Sequence, residues 1–489
     1  MECQMIDTVL LDALDVLFLL SLGYYLITNL QWYNYSLYRV VSKHHKWRWH
    51  LLYFVLPIVL FVLFNLFGYG GFFYLFCLFV YIPMLFFWAK KLDKPLKWTG
   101  RIFRFYAIYL LFILLDIGMQ MLYGKNIFSY FIALAFSLVV SNLFEYFLLN
   151  RYKKIASEKI ASMSHCKIVL ITASYGKTSI KNYLTQILKS RYMVHSTPRS
   201  VNTLVGIIAD INTQLDSRSE FYIVEAGARQ KGDIAEIAQF LNPQYVIIGK
   251  LGEQHLEYFK SFENIVETKY EALQSNRLRH VLVESSNPIP QYALNKVQKA
   301  PMGIKNIVAT LSGTKFELEV DGEYREFETP VLGTFNAYNI ALAILMAKKM
   351  GMSLSEIGSK VKKLNSVEHR LCKSEVNGRI ILDDSFNGNL EGMLEAIRIS
   401  SEYQGRKIIV TPGIVESTEE ANIELAKEID KVFEIAIITG ELNSKILSST
   451  IERSKKILLK EKGMLENTLK ATVKEGDLIL FANDAPSYI

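Results

Sequence analysis

The chain has 489 residues, 51% of them hydrophobic, and a formal net charge of +7. At ~150 residues per domain the length implies about three domains. The four cysteines, Cys3, Cys77, Cys166 and Cys372, show no C-x-x-C spacing, which argues against a disulfide framework or a zinc site. The basic residues of the first third cluster between apolar runs, a membrane-topology pattern that points to a lipid bilayer and not to nucleic acid.

Almost all of the hydrophobic excess lies before Arg151. Five apolar segments can be marked, over residues 16–33, 51–67, 72–89, 105–123 and 127–149, each close to the ~20 residues that cross a ~30 Å hydrocarbon core. Five in succession exclude a signal peptide. The connector after the first carries Arg39, Lys43, Lys46 and Arg48, and the one after the third carries Lys90, Lys91, Lys94, Lys97, Arg101 and Arg104. Arg151, Lys153 and Lys154 follow the fifth. The turns at 68–71 and 124–126 are short and nearly uncharged, while the first fifteen residues hold Glu2, Asp7, Asp12 and Asp15 and no Lys or Arg. The positive-inside rule then predicts a multi-pass protein of the cytoplasmic membrane, with its N-terminus outside and everything after Arg151 in the cytoplasm. Asp116 and Glu145 fall within predicted spans. Either they contact a membrane substrate or another membrane protein, or they sit near the headgroups or pair inside the bundle.

A basic juxtamembrane linker, 151–165, follows the helical membrane domain, 1–150. From Cys166 onward short β-branched runs alternate with amphipathic stretches: "KIVLITA", "EFYIVEAG" and "YVIIGKLG" read as strands, "IKNYLTQILKS" and "GDIAEIAQFL" as helices. This alternation predicts an α/β fold with a parallel sheet and ligands at the carboxyl ends of the strands. A second series, "RIILDDS", "RKIIVTPG", "EIAIITG" and "DLILFAN", comes after a long helical pattern, "NIALAILMAKKMGMSLSEIGSKVKKL". A boundary near Leu364 gives a central P-loop ATP-binding domain, 166–364, and a Rossmann-like C-terminal α/β domain, 365–489.

The first strand leads into "TASYGKTS". The eight-residue P-loop signature G-x-x-x-x-G-K-[ST] wants a glycine at position 171, which is Ile171. A strand-to-helix turn ending in Gly176-Lys177-Thr178 is still a sensible phosphate cradle. Backbone N–H groups and the helix N-terminus attract anions, Lys177 neutralises phosphate charge, and Thr178 can reach Mg²⁺. The bland alternative is a plain turn with a surface lysine.

The order of later motifs weighs against the bland alternative. Thr172-Ala173-Ser174-Tyr175-Gly176-Lys177-Thr178, "SVNTLVG", the run from "YIVEAGARQKGDIAEIAQFLNPQ" to "ENIVETKYE", "GTFNAYNIALA", "VEHR" and "LDDSFNGNLEGM" together resemble the Mur ligase family, most closely its D-alanyl-D-alanine-adding branch, over about 168–481. The resemblance implies ATP and Mg²⁺ as cofactors, with Thr172, Ser174, Gly176, Lys177, Thr178, Ser179, Asn336, Asn339, Arg370 and Asp384 on the nucleotide. It implies Asn202, Thr203, Asn387 and Asn389 on substrate, and Thr178, Glu225, His255 and a carbamylated Lys269 on metal. Lys177, His255 and Lys269 are the implied catalytic residues. For the asparagines and the Arg370 and Asp384 pair, turn and cap chemistry is the alternative.

The implied reaction is amide formation through an acyl phosphate, joining an amino acid or amine to a carboxylate of a cell-envelope precursor or glycan at the cytoplasmic face. The family's N-terminal UDP-sugar domain is missing from its usual place, where the five-span region stands, so a lipid-linked acceptor is an open option. Ala173, Phe335 and Leu390 depart from the family's glycine, histidine and proline. An ATPase-driven transporter and a non-catalytic Mur-like scaffold are the competing readings.

Overall fold

The computed structural model describes residues 2–42, 46–92, 95–124, 126–199, 201–253, 259–386, 388–415, 417–459 and 462–484. The chain divides into two compact units, Met1–Arg151 and Tyr152–Ile489.

In the first unit five helices are long and apolar enough to cross a membrane: Leu10–Trp32, Arg48–Leu66, Gly70–Lys90, Gly100–Tyr123 and Ser129–Ser162. These match the five predicted segments, and the last continues through Arg151, Lys153 and Lys154. Two helices hold a π-helical turn, Leu51–Val55 and Cys77–Tyr81, just before Pro57 and Pro83. Proline has no N–H, so Pro57 cannot bond the carbonyl four residues back, at Tyr53. Tyr81 Oη–H donates to that carbonyl at 3.1 Å instead, which meets the requirement that backbone polar groups in an apolar medium be satisfied internally.

Ion and hydrogen-bond partners hold three acidic side chains of this unit. Glu145 accepts a two-pronged pair from Arg104 at 2.7 and 3.0 Å. Asp116 Oδ2 accepts from Gln120 at 2.7 Å and Ser129 at 2.9 Å. Pairing within the bundle is therefore the reading that holds for both. Asp15 is buried, and its two oxygens accept from Tyr74 Oη (2.7 Å) and Tyr130 Oη (2.9 Å), so it belongs to the bundle interior rather than to an exposed acidic leader.

Among the described residues the second unit contains three sheets. Strands β1 (Lys167–Thr172), β2 (Val194–Ser196), β3 (Phe221–Glu225), β4 (Tyr245–Ile248), β5 (His280–Glu284) and β6 (Gln298–Ala300) form a parallel sheet in the order β2-β3-β1-β4-β5-β6. Every described position of β3 and β4 is buried, as expected of a strand covered on both faces. Next comes an antiparallel meander, β7 (Ile304–Thr310), β8 (Gly313–Val320) and β9 (Glu323–Thr329). Thr314, Phe316, Leu318 and Val320 alternate inward, and the hairpin turns at Asp321 (φ 55°) and Gly322 (φ 84°), the Asp-Gly turn that favours tight hairpins.

The long helical pattern after it is two helices, Thr334–Lys349 and Leu354–Val361. Gly351 at φ +95° ends the first, and a capping box between Ser353 and Glu356 starts the second. The C-terminal sheet joins β10 (Cys372–Val376), β11 (Arg379–Asp384), β12 (Lys407–Thr411), β13 (Ile435–Thr439), β14 (Lys455–Leu459) and β15 (Leu478–Ala482) in the order β10-β11-β15-β12-β13-β14. Only β10 is antiparallel to its neighbour.

Candidate active site

Strand β1 lies between β3 and β4, where connections to the sheet part to either side, and ligands of such sheets bind at the carboxyl ends there. The predicted loop emerges at that point. Gly176 has φ +80°, and a Cβ added to it would lie 2.4 Å from Asn339 Oδ1. Glycine is thus required twice, for the left-handed backbone and for the approach of Asn339. Helix Lys177–Leu188 starts at once, and the N–H groups of its first turn have no partner inside the helix.

Ala173 is fully buried and absent from the positive-φ residues, so the alanine in the family's glycine position carries no left-handed strain. Its methyl packs beside Gly249, where a Cβ would come within 3.0 Å of it. The N–H groups of Ser174 and Tyr175 both donate to the Lys250 carbonyl, at 2.9 and 3.1 Å. This leaves the amides after Gly176 as the open part of the cradle.

Around the loop, the predicted residues fall into two groups. In the first, Thr178 Oγ1 donates to Glu225 Oε2 at 2.9 Å, and Asn202 Nδ2 lies 3.4 Å from Glu225 Oε1. Lys177 Nζ donates to the carbonyls of Ala173 (2.8 Å) and Ser174 (3.0 Å). Burial pushes its amine down to about 8, with Glu225 opposing and Arg370 assisting. Lys269, only 4% exposed, is pushed down to about 7 by burial and then by the Lys177 charge, against the pull of Asp233, Glu225 and Glu271. Arg370 from the C-terminal region is lowered by burial and held up by Asp384 and Glu225. Asn336 and Asn339 are buried and bonded to each other at 3.2 Å.

In the second group the side chains serve as local structure. Thr172 Oγ1 ties β1 to the Ala226 carbonyl at 2.9 Å. Thr203 caps the helix Leu204–Thr213 through Gly206 N–H, and Asn389 caps Leu390–Ser401 through Gly392 N–H at 2.9 Å. Ser174 Oγ donates to the Gly252 carbonyl at 3.0 Å, and Ser179 is buried. His255 and Asn387 lie outside the described residues.

Three residues emerge only from the fold. Lys181, one helical turn after Lys177, is buried beside Glu225. His369, in a left-handed conformation (φ 62°), bonds Asp383 Oδ2 through Nδ1 at 2.7 Å, which anchors the segment carrying Arg370 against the end of β11. Lys250 pairs with Glu391 at the start of the helix after β11. For Lys181 the signal was a cation in the inward stripe with Leu184, Thr185 and Leu188.

Whether Mg²⁺ fits can be judged from the donors. Thr178 Oγ1 and Glu225 Oε2 are hard oxygens side by side under the phosphate loop, and Mg²⁺ is commonly held by one or two carboxylates together with substrate phosphates and water. The residues present therefore fit that cation.

A phosphate loop, a strand-end carboxylate next to it and converging cations define a nucleotide-dependent α/β enzyme with a second α/β domain. Residues 171–347 match the Mur ligase middle domain. The UDP-N-acetylmuramoyl-tripeptide–D-alanyl-D-alanine ligase of Bacillus subtilis is 25% identical over 338 residues, covering 64% of this chain and 72% of that one. The enzyme of the same name from Buchnera aphidicola is 26% identical over 362 residues, covering 65% and 78%. Among solved structures, MurF ligase from Thermotoga maritima in complex with ADP is similar at a TM-score of 0.58 and 24% identity, covering 68% of this chain and 80% of that one. A pseudomurein peptide ligase type C from Methanothermus fervidus reaches 0.51 at 19% identity, covering 65% and 76%. The chain thus carries a Mur ligase middle domain and is similar over its second unit to ATP-dependent acid–amino-acid ligases, with apolar helices ahead of the shared region.

Proposed function

We propose that this protein is a membrane-anchored ATP-dependent amide ligase that works at the cytoplasmic face on a carboxylate of a cell-envelope precursor or glycan. The observation that carries this reading is the gathering of Lys177, Lys269 and Arg370 around the Thr178–Glu225 pair, in a chain whose first 151 residues supply spans long enough for a bilayer. The relatives' names give the type of reaction, and the apolar helices argue for an acceptor presented at the membrane, such as a lipid-linked one.

In this reading the amides after Gly176 and the Lys177 ammonium hold the terminal phosphates of ATP. Thr178 and Glu225 would hold Mg²⁺, which neutralises phosphate charge during transfer. Lys177 and Arg370 stabilise the charge that develops as the γ-phosphoryl passes to the substrate carboxylate. The resulting acyl phosphate is attacked by the amine, and the amide forms as phosphate leaves. Lys269, pushed down to about 7, is uncharged in about half of the molecules at pH 7; an uncharged amine is what addition of CO₂ requires, so this burial favours the carbamate that would add a further oxygen ligand. His255 is assigned to the same metal cluster, and Asn202 to positioning the acceptor.

The test uses the full-length protein in detergent or nanodiscs. Phosphate release should require ATP, a carboxylate-bearing envelope fraction and an amine together, and mass spectrometry of glycans and lipid-linked precursors from cells lacking the protein should show loss of an amide-linked group. Unchanged envelope chemistry together with no ATP binding would overturn the reading.

A further inference from the structure

Lys181 has no part in the reaction just described, yet it is 1% exposed, and so is Glu225 beside it. The Nζ lies 3.7 Å from Glu225 Oε2. The same ammonium donates to the Thr197 carbonyl at 2.7 Å and to the Arg199 carbonyl. Burying two charges together costs several kcal/mol per ion before any attraction is counted, and an apolar side chain would fill this helix position without that cost.

The geometry shows what the ammonium joins. Glu225 Oε2 receives Thr178 on one side and faces Lys181 on the other, while Oε1 faces Asn202. The carbonyls of Thr197 and Arg199 belong to the stretch running from the end of β2 toward Asn202 and Thr203. One cation thus fixes the phosphate-loop helix, the strand-end carboxylate and the approach to the acceptor segment.

We propose that Lys181 is a positioning residue of the ligase site, orienting the Glu225 carboxylate for the metal and locking it to the Thr197 and Arg199 carbonyls. The inference rests on the ligase reading above, in which Glu225 is a metal ligand. It makes a prediction that simple charge counting reverses. Removing a cation next to a metal ligand should strengthen metal binding if Coulomb repulsion dominates. If orientation dominates, binding weakens, and loss of a partner that orients a metal ligand typically costs about 10–100-fold in affinity.

The probe is Mn²⁺ with ATP, followed by loss of the free-Mn²⁺ electron paramagnetic resonance signal in the full-length protein in nanodiscs. Lys181→Met should raise the half-saturating Mn²⁺ concentration about 10-fold or more, while ATP affinity in EDTA stays within about twofold. Lys181→Arg, which keeps the charge, should recover most of the loss. Lys181→Gln, which keeps a donor for the two carbonyls but no charge, should not. If the Met variant does not fold, the Arg and Gln pair decides alone. Equal Mn²⁺ binding by Gln and wild type, or tighter binding by either neutral variant, overturns the positioning role. A wild-type protein that binds no Mn²⁺–ATP overturns the ligase reading instead, and the two failures stay distinct.

Discussion

The two units bury charge to opposite ends. Before residue 152, Asp15, Asp116 and Glu145 are each met by donors from the chain itself, at 2.7–3.0 Å. Such carboxylates are settled on folding and tie helices together. In the second unit Lys177, Lys269 and Arg370 share the field of the buried Glu225, with Asp384 also on Arg370 and Asp233 and Glu271 also on Lys269, yet Arg370 lowers the proton affinity of Lys177 and Lys177 lowers that of Lys269. Cations crowded closely enough to depress one another's proton affinity are stabilised by an arriving anion.

Substituting Lys177 should separate the two kinds most sharply. Lys177→Ala removes the ammonium that the proposed reaction sets against the transferred phosphate, and loss of one such group typically costs about 10²–10³-fold in rate. ATP-dependent phosphate release should fall by at least that much while thermal stability is unchanged or higher, because burial disfavours the ammonium. An active Lys177→Ala protein would mean that the loop does not hold phosphate.

Lys269 supplies the pH test. Its folded value, about 7, lies below the ~10.4 of an unfolded lysine. Below pH 7 both states hold the proton, and the folded state carries the full cost of a buried charge. As pH rises from 7 toward 10, the unfolded state binds more protons than the folded one, and stability rises. Lys269→Met should therefore raise the melting temperature relative to wild type more at pH 6 than at pH 9. An equal gain at both values would show that the amine is not charged and buried as described.

The matched region should answer differently. Tyr74→Phe removes one of the two donors to Asp15, and a hydrogen bond within an apolar helical bundle contributes about 1 kcal/mol. The melting temperature in nanodiscs should fall modestly, with Mn²⁺–ATP binding by the second unit unaltered. A Tyr74→Phe protein of wild-type stability would remove Asp15 from the architectural class.

What could be read ahead of the fold followed from periodicity. The five long apolar helices, the β-branched runs of β1, β3, β4, β11, β12, β13 and β15 and the Gly-Lys-Thr turn each declare themselves within a short window. The meander β7–β9 was harder, because its outward positions are charged and its alternation is visible only once Asp321-Gly322 is taken as a hairpin turn. Gly351 divided the long helical pattern for a similar reason, a left-handed residue inside an otherwise continuous apolar stripe. Lys181 and His369 were hidden for another reason: their partners, Glu225 and Asp383, are 44 and 14 positions away, and only the sheet brings them together. The caps at Thr203 and Asn389 show the reverse, residues whose motif implied ligand contact and whose side chains bond the first turn of a helix.

The smallest expected effect concerns Ala173, the one departure from the family's loop spelling. Were the loop strained there, Ala173→Gly would tighten ATP binding. Yet Ala173 is outside the positive-φ set, and its methyl fills the space that Gly249 leaves open. Removing a buried methyl forfeits about 0.8 kcal/mol of burial, and glycine adds unfolded-state entropy of similar size. Ala173→Gly should thus lower stability by about 1–2 kcal/mol and leave ATP affinity within about twofold, as measured by thermal unfolding and by nucleotide titration. A gain in ATP affinity would show that the alanine strains the loop after all, and would make this position a difference between the chain and its relatives in nucleotide binding rather than in packing.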